Sequence, residues 1–169
     1  MARLDIPEGD GLEAHRMWML APHMGTAMHA MSEAVYEKSS LGIREREVAR
    51  MRIAQLNQCV VCLNTRAASA MAQGLTDELY NSVQDYRDNP AFTLRERLAA
   101  EYAERFAIDH TDIDDALWKR LQAQYSYTEL LELTVTIGFC IGMGRAFHVL
   151  DVAKDFDVLW SREPKAPIA

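Results

Sequence analysis

The stretch Arg44-Glu45-Arg46-Glu47-Val48-Ala49-Arg50-Met51-Arg52-Ile53-Ala54-Gln55-Leu56-Asn57-Gln58-Cys59-Val60-Val61-Cys62 decides how this chain is read. Over residues 44–57 it is amphipathic, with Val48, Met51 and Leu56 on one side and Arg44, Glu45 and Arg52 elsewhere, the pattern of a helix. It ends in two cysteines three positions apart, close enough on a helix to form a disulfide. Glu47 precedes Cys59 by twelve residues, and one unbroken helix would hold them roughly 18 Å apart. The chain must therefore break near Asn57-Gln58 if Glu47 is to approach the thiols as a proton acceptor or to hold a water.

Outward from this stretch, helical signals dominate and strand signals are nearly absent. A helix is predicted from Cys59 to Gln73, with Gly74 as its C′ residue. Thr76 reads as the next N-cap, with Asp77 and Glu78 in the first turn. Asn89-Pro90 marks a loop, and Thr93 with Glu96 forms a capping box for a helix to about Ala107. Asp109-His110-Thr111-Asp112 reads as a turn before a helix over 113–124. Thr128 opens a long helix that is apolar nearly all round, placing it at the centre of the fold or between subunits. On the N-terminal side, 11–37 is a helical region that Pro22 divides or kinks. Its run of Met17, Met19, Met24, Met28 and Met31 predicts core packing, or the wall of an apolar entrance to the thiols. The sum is an all-α bundle of about seven helices in a single domain, 1–169, with a frayed tail or arm at 161–169.

Composition narrows the function. The chain has 169 residues, 49% of them hydrophobic, and a net charge of -7. So acidic a chain is unsuited to nucleic acid or anionic membrane surfaces, which need clustered Lys and Arg. The polar start lacks the apolar run of a signal peptide. The stretch Leu130–Val152 carries Glu132, Arg145, His148 and Asp151, which predicts a buried helix rather than a membrane span. A cytoplasmic location follows as an expectation, and there a close cysteine pair is redox-active or metal-binding rather than a staple. A metal would need a second ligand pair. Cys140 and His148, eight residues apart, do not share a helix face, so no metal and no cofactor is expected. Cys140 reads as a buried inert thiol and His148 as a packing or interface residue.

The chemistry centres on the cysteines. A helix N-terminus favours thiolate through its unpaired N–H groups and its dipole. Arg66, four residues beyond Cys62, adds a fixed positive charge on the same stripe.

The residues Arg44–Ala49, then Ala54-Gln55-Leu56-Asn57 and Cys59-x-x-Cys62, resemble the carboxymuconolactone decarboxylase / AhpD-like alkylhydroperoxidase family. The run from Glu129 through Arg145 resembles the family's last helix, so that 44–152 corresponds to the family core. The resemblance implies an AhpD-like helical bundle, a homo-oligomer (trimer or hexamer) and, in the redox branch, reduction of hydroperoxides. It implies that Cys62 attacks the peroxide, Cys59 resolves the sulfenic acid as a disulfide, Glu47 relays protons and an external dithiol restores the thiols. The decarboxylase branch lacks the cysteine pair.

The sequence departs from that branch at two positions. Arg66 stands where a histidine usually follows the second cysteine by four residues, and Val61 stands where some members carry another histidine. Arginine does not shuttle protons at neutral pH. It stabilises a thiolate and orients a polar or anionic substrate, which predicts a reactive thiol with an attenuated proton relay. The expected function is a thiol-dependent alkylhydroperoxide reductase. The alternatives are a redox-sensing or structural oligomer, and another reaction on a small hydrophobic substrate.

Overall fold

The computed structural model describes residues 2–152 and 160–162. The N-terminal region forms a short helix α1 (Glu13–Arg16) running into a 3₁₀ turn at Met17–Leu20, then α2 (Pro22–Glu33) and a π-helical turn at Ala34–Lys38. Pro22 takes the first position of α2, where its missing N–H costs nothing. It divides the region as its position predicts.

The core begins with α3 (Ile43–Asn57), which ends where Gln58 adopts a left-handed conformation at φ 51°. After this break come α4 (Val60–Asn64), a three-residue strand β1 (Thr65–Ala67) and α5 (Ala68–Ala72). Gly74, at φ +84°, ends that segment as expected. The caps at Thr76 and Thr93 open α6 (Asp77–Asn81) and α7 (Leu94–Asp109), and the Thr93–Glu96 capping box is present in full. Helix α8 (Asp115–Gln122) lies inside the predicted 113–124 span. Helix α9 (Tyr127–Leu150) is capped by Ser126, through a capping box with Glu129, rather than by Thr128. Among the described residues this makes nine α-helices, against about seven expected; the surplus is the short pieces.

Two findings correct the sequence reading. The single helix predicted over Cys59–Gln73 is split by β1, because side chains take the backbone carbonyls that would continue it. Arg50 binds the Cys62 and Thr65 carbonyls at 2.7 and 3.0 Å, and Arg66 binds those of Leu63 and Thr65 at 2.6 and 3.1 Å. β1 pairs in parallel with β2 (Trp160–Arg162), which takes in the first two residues of the span expected as a frayed tail or arm; residues 163–169 lie outside the described residues.

The second finding concerns the centre. Of the two places expected for the long helix, the centre of the bundle is taken by α3 rather than α9. One core cluster joins it to α7, α8 and α9 through Ile53, Leu98, Leu121, Leu133 and Ile137. Another joins it to the α5–α6 side through Val48, Met51, Leu75, Tyr80 and Phe92. Helix α9 buries Leu130, Leu133, Ile137 and Gly144, while Leu131, Val135 and Val149 on its other flank are exposed. Gly144 permits the close approach to α3: a Cβ there would stand 2.5 Å from the Asn57 amide nitrogen. Asn57 in turn donates to the Cys140 and Ile141 carbonyls at 3.2 and 3.3 Å.

Candidate functional site

The break at Gln58 folds the cysteine pair back beside α3. His148 of α9 lies 3.1 Å from the Gln58 carbonyl and fastens this turn. Cys59 is the N-cap of α4; its Sγ accepts from the Cys62 N–H at 3.3 Å. Cys59 and Cys62 are joined as a disulfide with Cα atoms 5.3 Å apart. Cys59 is only 1% exposed. Cys62 instead opens on a cavity of about 600 Å³ whose walls include Glu47, Arg50, Arg66, Cys140 and Tyr36. Trp18, Met28, Phe139, Met143 and Phe147 make much of the remainder apolar. Helix α2, which buries none of its own residues, contributes Met28 and His29 to one wall. Of the methionine run, only Met28 takes part; Met17 is packed in a small cluster with Ala14 and Val152, and Met19, Met24 and Met31 are exposed.

The polar floor is built on α3. Glu47 Oε2 accepts from Arg50 Nε and Nη2 at 2.9 and 2.7 Å and from the Tyr80 hydroxyl at 2.9 Å. Its other oxygen lies 3.9 Å from Arg46 Nε. Arg50 thus grips the carboxylate through two N–H groups and reaches the Cys62 carbonyl with a third. Burial is the largest influence and works against its charge, but the Glu47 carboxylate together with Tyr36 and Tyr80 outweighs it and holds the pKa above the usual arginine value. Tyr80 is pushed upward chiefly by burial and then by Glu47, so it stays a neutral donor.

Glu47, Cys62 and Arg66 therefore share one cavity, and Cys59 lies behind it. Arg66 is not on a common helical stripe with Cys62, because α4 ends at Asn64. Its guanidinium pairs with Asp77 at 2.7 Å and lies 4.6 Å over the Tyr80 ring. The five-residue α4 also carries a smaller dipole than the long helix expected. The charge nearest the Cys62 backbone is Arg50, which the sequence reading passed over. Its signal was available: Glu47-x-x-Arg50 is an i,i+3 pair on a helix aimed at the dithiol. Cys140 is buried and unbonded to another cysteine; burial pushes its thiol up to about 11.

Comparison with known proteins places the fold. The model of the carboxymuconolactone decarboxylase family matches residues 22–105, and the chain belongs to that family. It is 39% identical over 103 residues to the uncharacterized protein YnjA of Escherichia coli (strain K12), a match over 60% of this chain and 56% of YnjA. It spans only a little over half the length of that relative. In fold it resembles an uncharacterized peroxidase-related protein from Silicibacter sp. TM1040, with a TM-score of 0.77 and 17% identity over 94% of this chain and 96% of the other. It also resembles ATU0492 from Agrobacterium tumefaciens, a putative antioxidant defence protein AhpD, with a TM-score of 0.70 and 20% identity over 89% and 96%. The bundle is AhpD-like, and the family includes enzymes.

Proposed function

We propose that the protein is a thiol-dependent hydroperoxide reductase acting on a small hydrophobic hydroperoxide. One observation carries this reading: of two joined cysteines, one is buried and the other opens on an apolar cavity that also holds a carboxylate and two guanidiniums. That asymmetry gives the thiols different work. The Cys62 thiolate attacks the distal peroxide oxygen, the O–O bond breaks, and Cys62 becomes a sulfenic acid while the alkoxide takes a proton. Cys59 then displaces water from that sulfur and closes the disulfide. Two thiols and one hydroperoxide become one disulfide, one alcohol and one water. An external dithiol restores the reduced state by exchange.

Glu47 handles the proton released by Cys62, through the oxygen that faces Arg46 rather than the one held by three donors. Arg50 fixes that carboxylate against the Cys62 carbonyl. Arg66 supplies positive potential at the cavity wall, tempered by Asp77. The open apolar flank of α9 supports a homo-oligomer, trimer or hexamer, in which this face is covered. A reducing compartment such as the cytoplasm suits a dithiol that must cycle.

The test is a free-thiol titration of reduced protein mixed with an organic hydroperoxide. Two thiols per chain disappear in the wild type, and none in Cys62→Ser. Cys59→Ser halts at a sulfenic acid that dimedone traps. An unreactive wild type with accessible Cys62 sinks the reading. The engagement of Arg66 by Asp77 favours a second reading, a redox sensor that oxidises once and turns over slowly. A fast single oxidation with negligible steady-state turnover, whatever dithiol is supplied, would select it.

A further inference from the structure

The π-helical turn at Ala34–Lys38 stands apart from the rest of the helical geometry. Turns of this kind gather at functional sites, because the wider ring re-aims one side chain. Here the turn sets Tyr36 in the wall of the dithiol cavity. Arg46 donates to the Tyr36 carbonyl at 3.2 Å, and its guanidinium lies 5.4 Å over the Tyr36 ring. Phe139 meets the same ring edge-on at 6.4 Å. The backbone and the ring are therefore held by neighbours. The hydroxyl reaches Cys140 Sγ at 3.8 Å, and sulfur is a weak partner readily exchanged for oxygen.

Burial, followed by the nearby Cys140 and Glu47, raises the Tyr36 pKa well above the usual phenol value, although Arg50 opposes this. The side chain therefore keeps its proton at neutral pH. It is a fixed hydrogen-bond donor in an apolar cavity, where such a donor counts for more than in water.

Building on the hydroperoxide-reductase reading, we infer that Tyr36 is the substrate-orienting residue, donating its O–H to the leaving oxygen of a hydroperoxide attacked by Cys62. The sulfur supplies two electrons, the S–O bond forms as the O–O bond breaks, and negative charge gathers on the proximal oxygen. Tyr36 stabilises that charge without giving up its proton. The proton that completes the alcohol is the one Cys62 released on ionisation, carried by Glu47 and water. The substrate class follows: an alkyl hydroperoxide, whose alkoxide is a poor leaving group and gains most from a donor.

The experiment compares wild type with Tyr36→Phe, which keeps the ring and its neighbours. Reduced protein is mixed rapidly with cumene hydroperoxide and, separately, with peracetic acid, and thiol loss is followed. The rate with the alkyl hydroperoxide falls about tenfold or more. The rate with the peracid, whose carboxylate leaves unaided, changes little, and the rate of Cys62 alkylation by iodoacetamide stays the same. Tyrosine fluorinated on the ring at position 36, a stronger donor, raises the alkyl hydroperoxide rate. Equal losses with both oxidants, or no loss with either, overturn the role of Tyr36 and leave the reductase reading standing. A wild type inert to both oxidants overturns the reductase reading and this role with it.

Discussion

Helices α3 and α9 invert each other. Between Arg44 and Arg52, α3 carries Arg44, Glu45, Arg46, Glu47, Arg50 and Arg52, yet its middle is buried throughout. Over its 24 residues α9 is mostly apolar, yet one flank is open, with Leu131 65% exposed. Burial does not track hydropathy in either. The charges of α3 are withdrawn from water because they are partnered: buried Glu47 by Arg50 and Tyr80, buried Arg46 by Glu47 and the Tyr36 carbonyl, half-buried Arg44 by Glu96 and half-buried Arg52 by Glu104. A charge removed from water persists only where partners replace the water. Buried charge beside a cavity is what a chemical site requires, whereas apolar surface left open is a face that a partner can cover.

The largest effect that tests this contrast is in α3. Arg50→Met leaves Glu47 buried without its main partner and should cost roughly 3–5 kcal/mol in urea unfolding. The double variant Glu47→Gln/Arg50→Met should recover much of that loss. If the single variant costs under ~1 kcal/mol, the pair does not hold the floor of the site.

The two flanks of α9 should separate next. Leu133, with 0% exposure, packs into the α3–α7 core, so Leu133→Ala should cost about 2–5 kcal/mol. Leu131→Ala should cost within about 0.5 kcal/mol of nothing in the isolated chain. Comparable losses at both positions in a demonstrated monomer would show that the open flank is packed after all.

The smallest effect is with acid. Burial opposes the ionised forms of Glu96 and Glu104, but Arg44 and the Thr93 cap together outweigh it at Glu96, and Arg87 and Arg52 together outweigh it at Glu104, so both pKa values fall below the ordinary 4.5. A lowered native value means these groups contribute stability above the unfolded pKa and lose it as pH falls through the native one. The melting temperature should therefore decline below about pH 4.5, and the decline should shrink in Glu96→Gln. An unchanged acid limb in that variant would remove Glu96 from the account.

Much of this was legible in the residues. Thr76, Thr93 with Glu96, Gly74 and Pro22 mark boundaries through local chemistry, and local chemistry survives folding. The turn at Asn57-Gln58 was legible because Glu47 and Cys59 would otherwise lie too far apart. The Ser126–Glu129 capping box was equally visible and was passed over for Thr128. The break after α4 was not legible, since guanidiniums arriving from elsewhere compete for its carbonyls. Periodicity sees a segment's own residues and not such visitors. The same holds for Tyr36, whose position depends on Arg46 ten residues away, and for the centre of the bundle, where paired charges let the more polar helix carry the apolar core.

Cys140 lends the cavity a built-in control. Its thiol lines the dithiol cavity beside Tyr36, and burial pushes it up to about 11, so it stays protonated at neutral pH. A reagent that enters the cavity meets Cys140 as well as Cys62. The Cys140 alkylation rate, set against that of the same thiol in the unfolded chain, measures how far the cavity wall silences a sulfur.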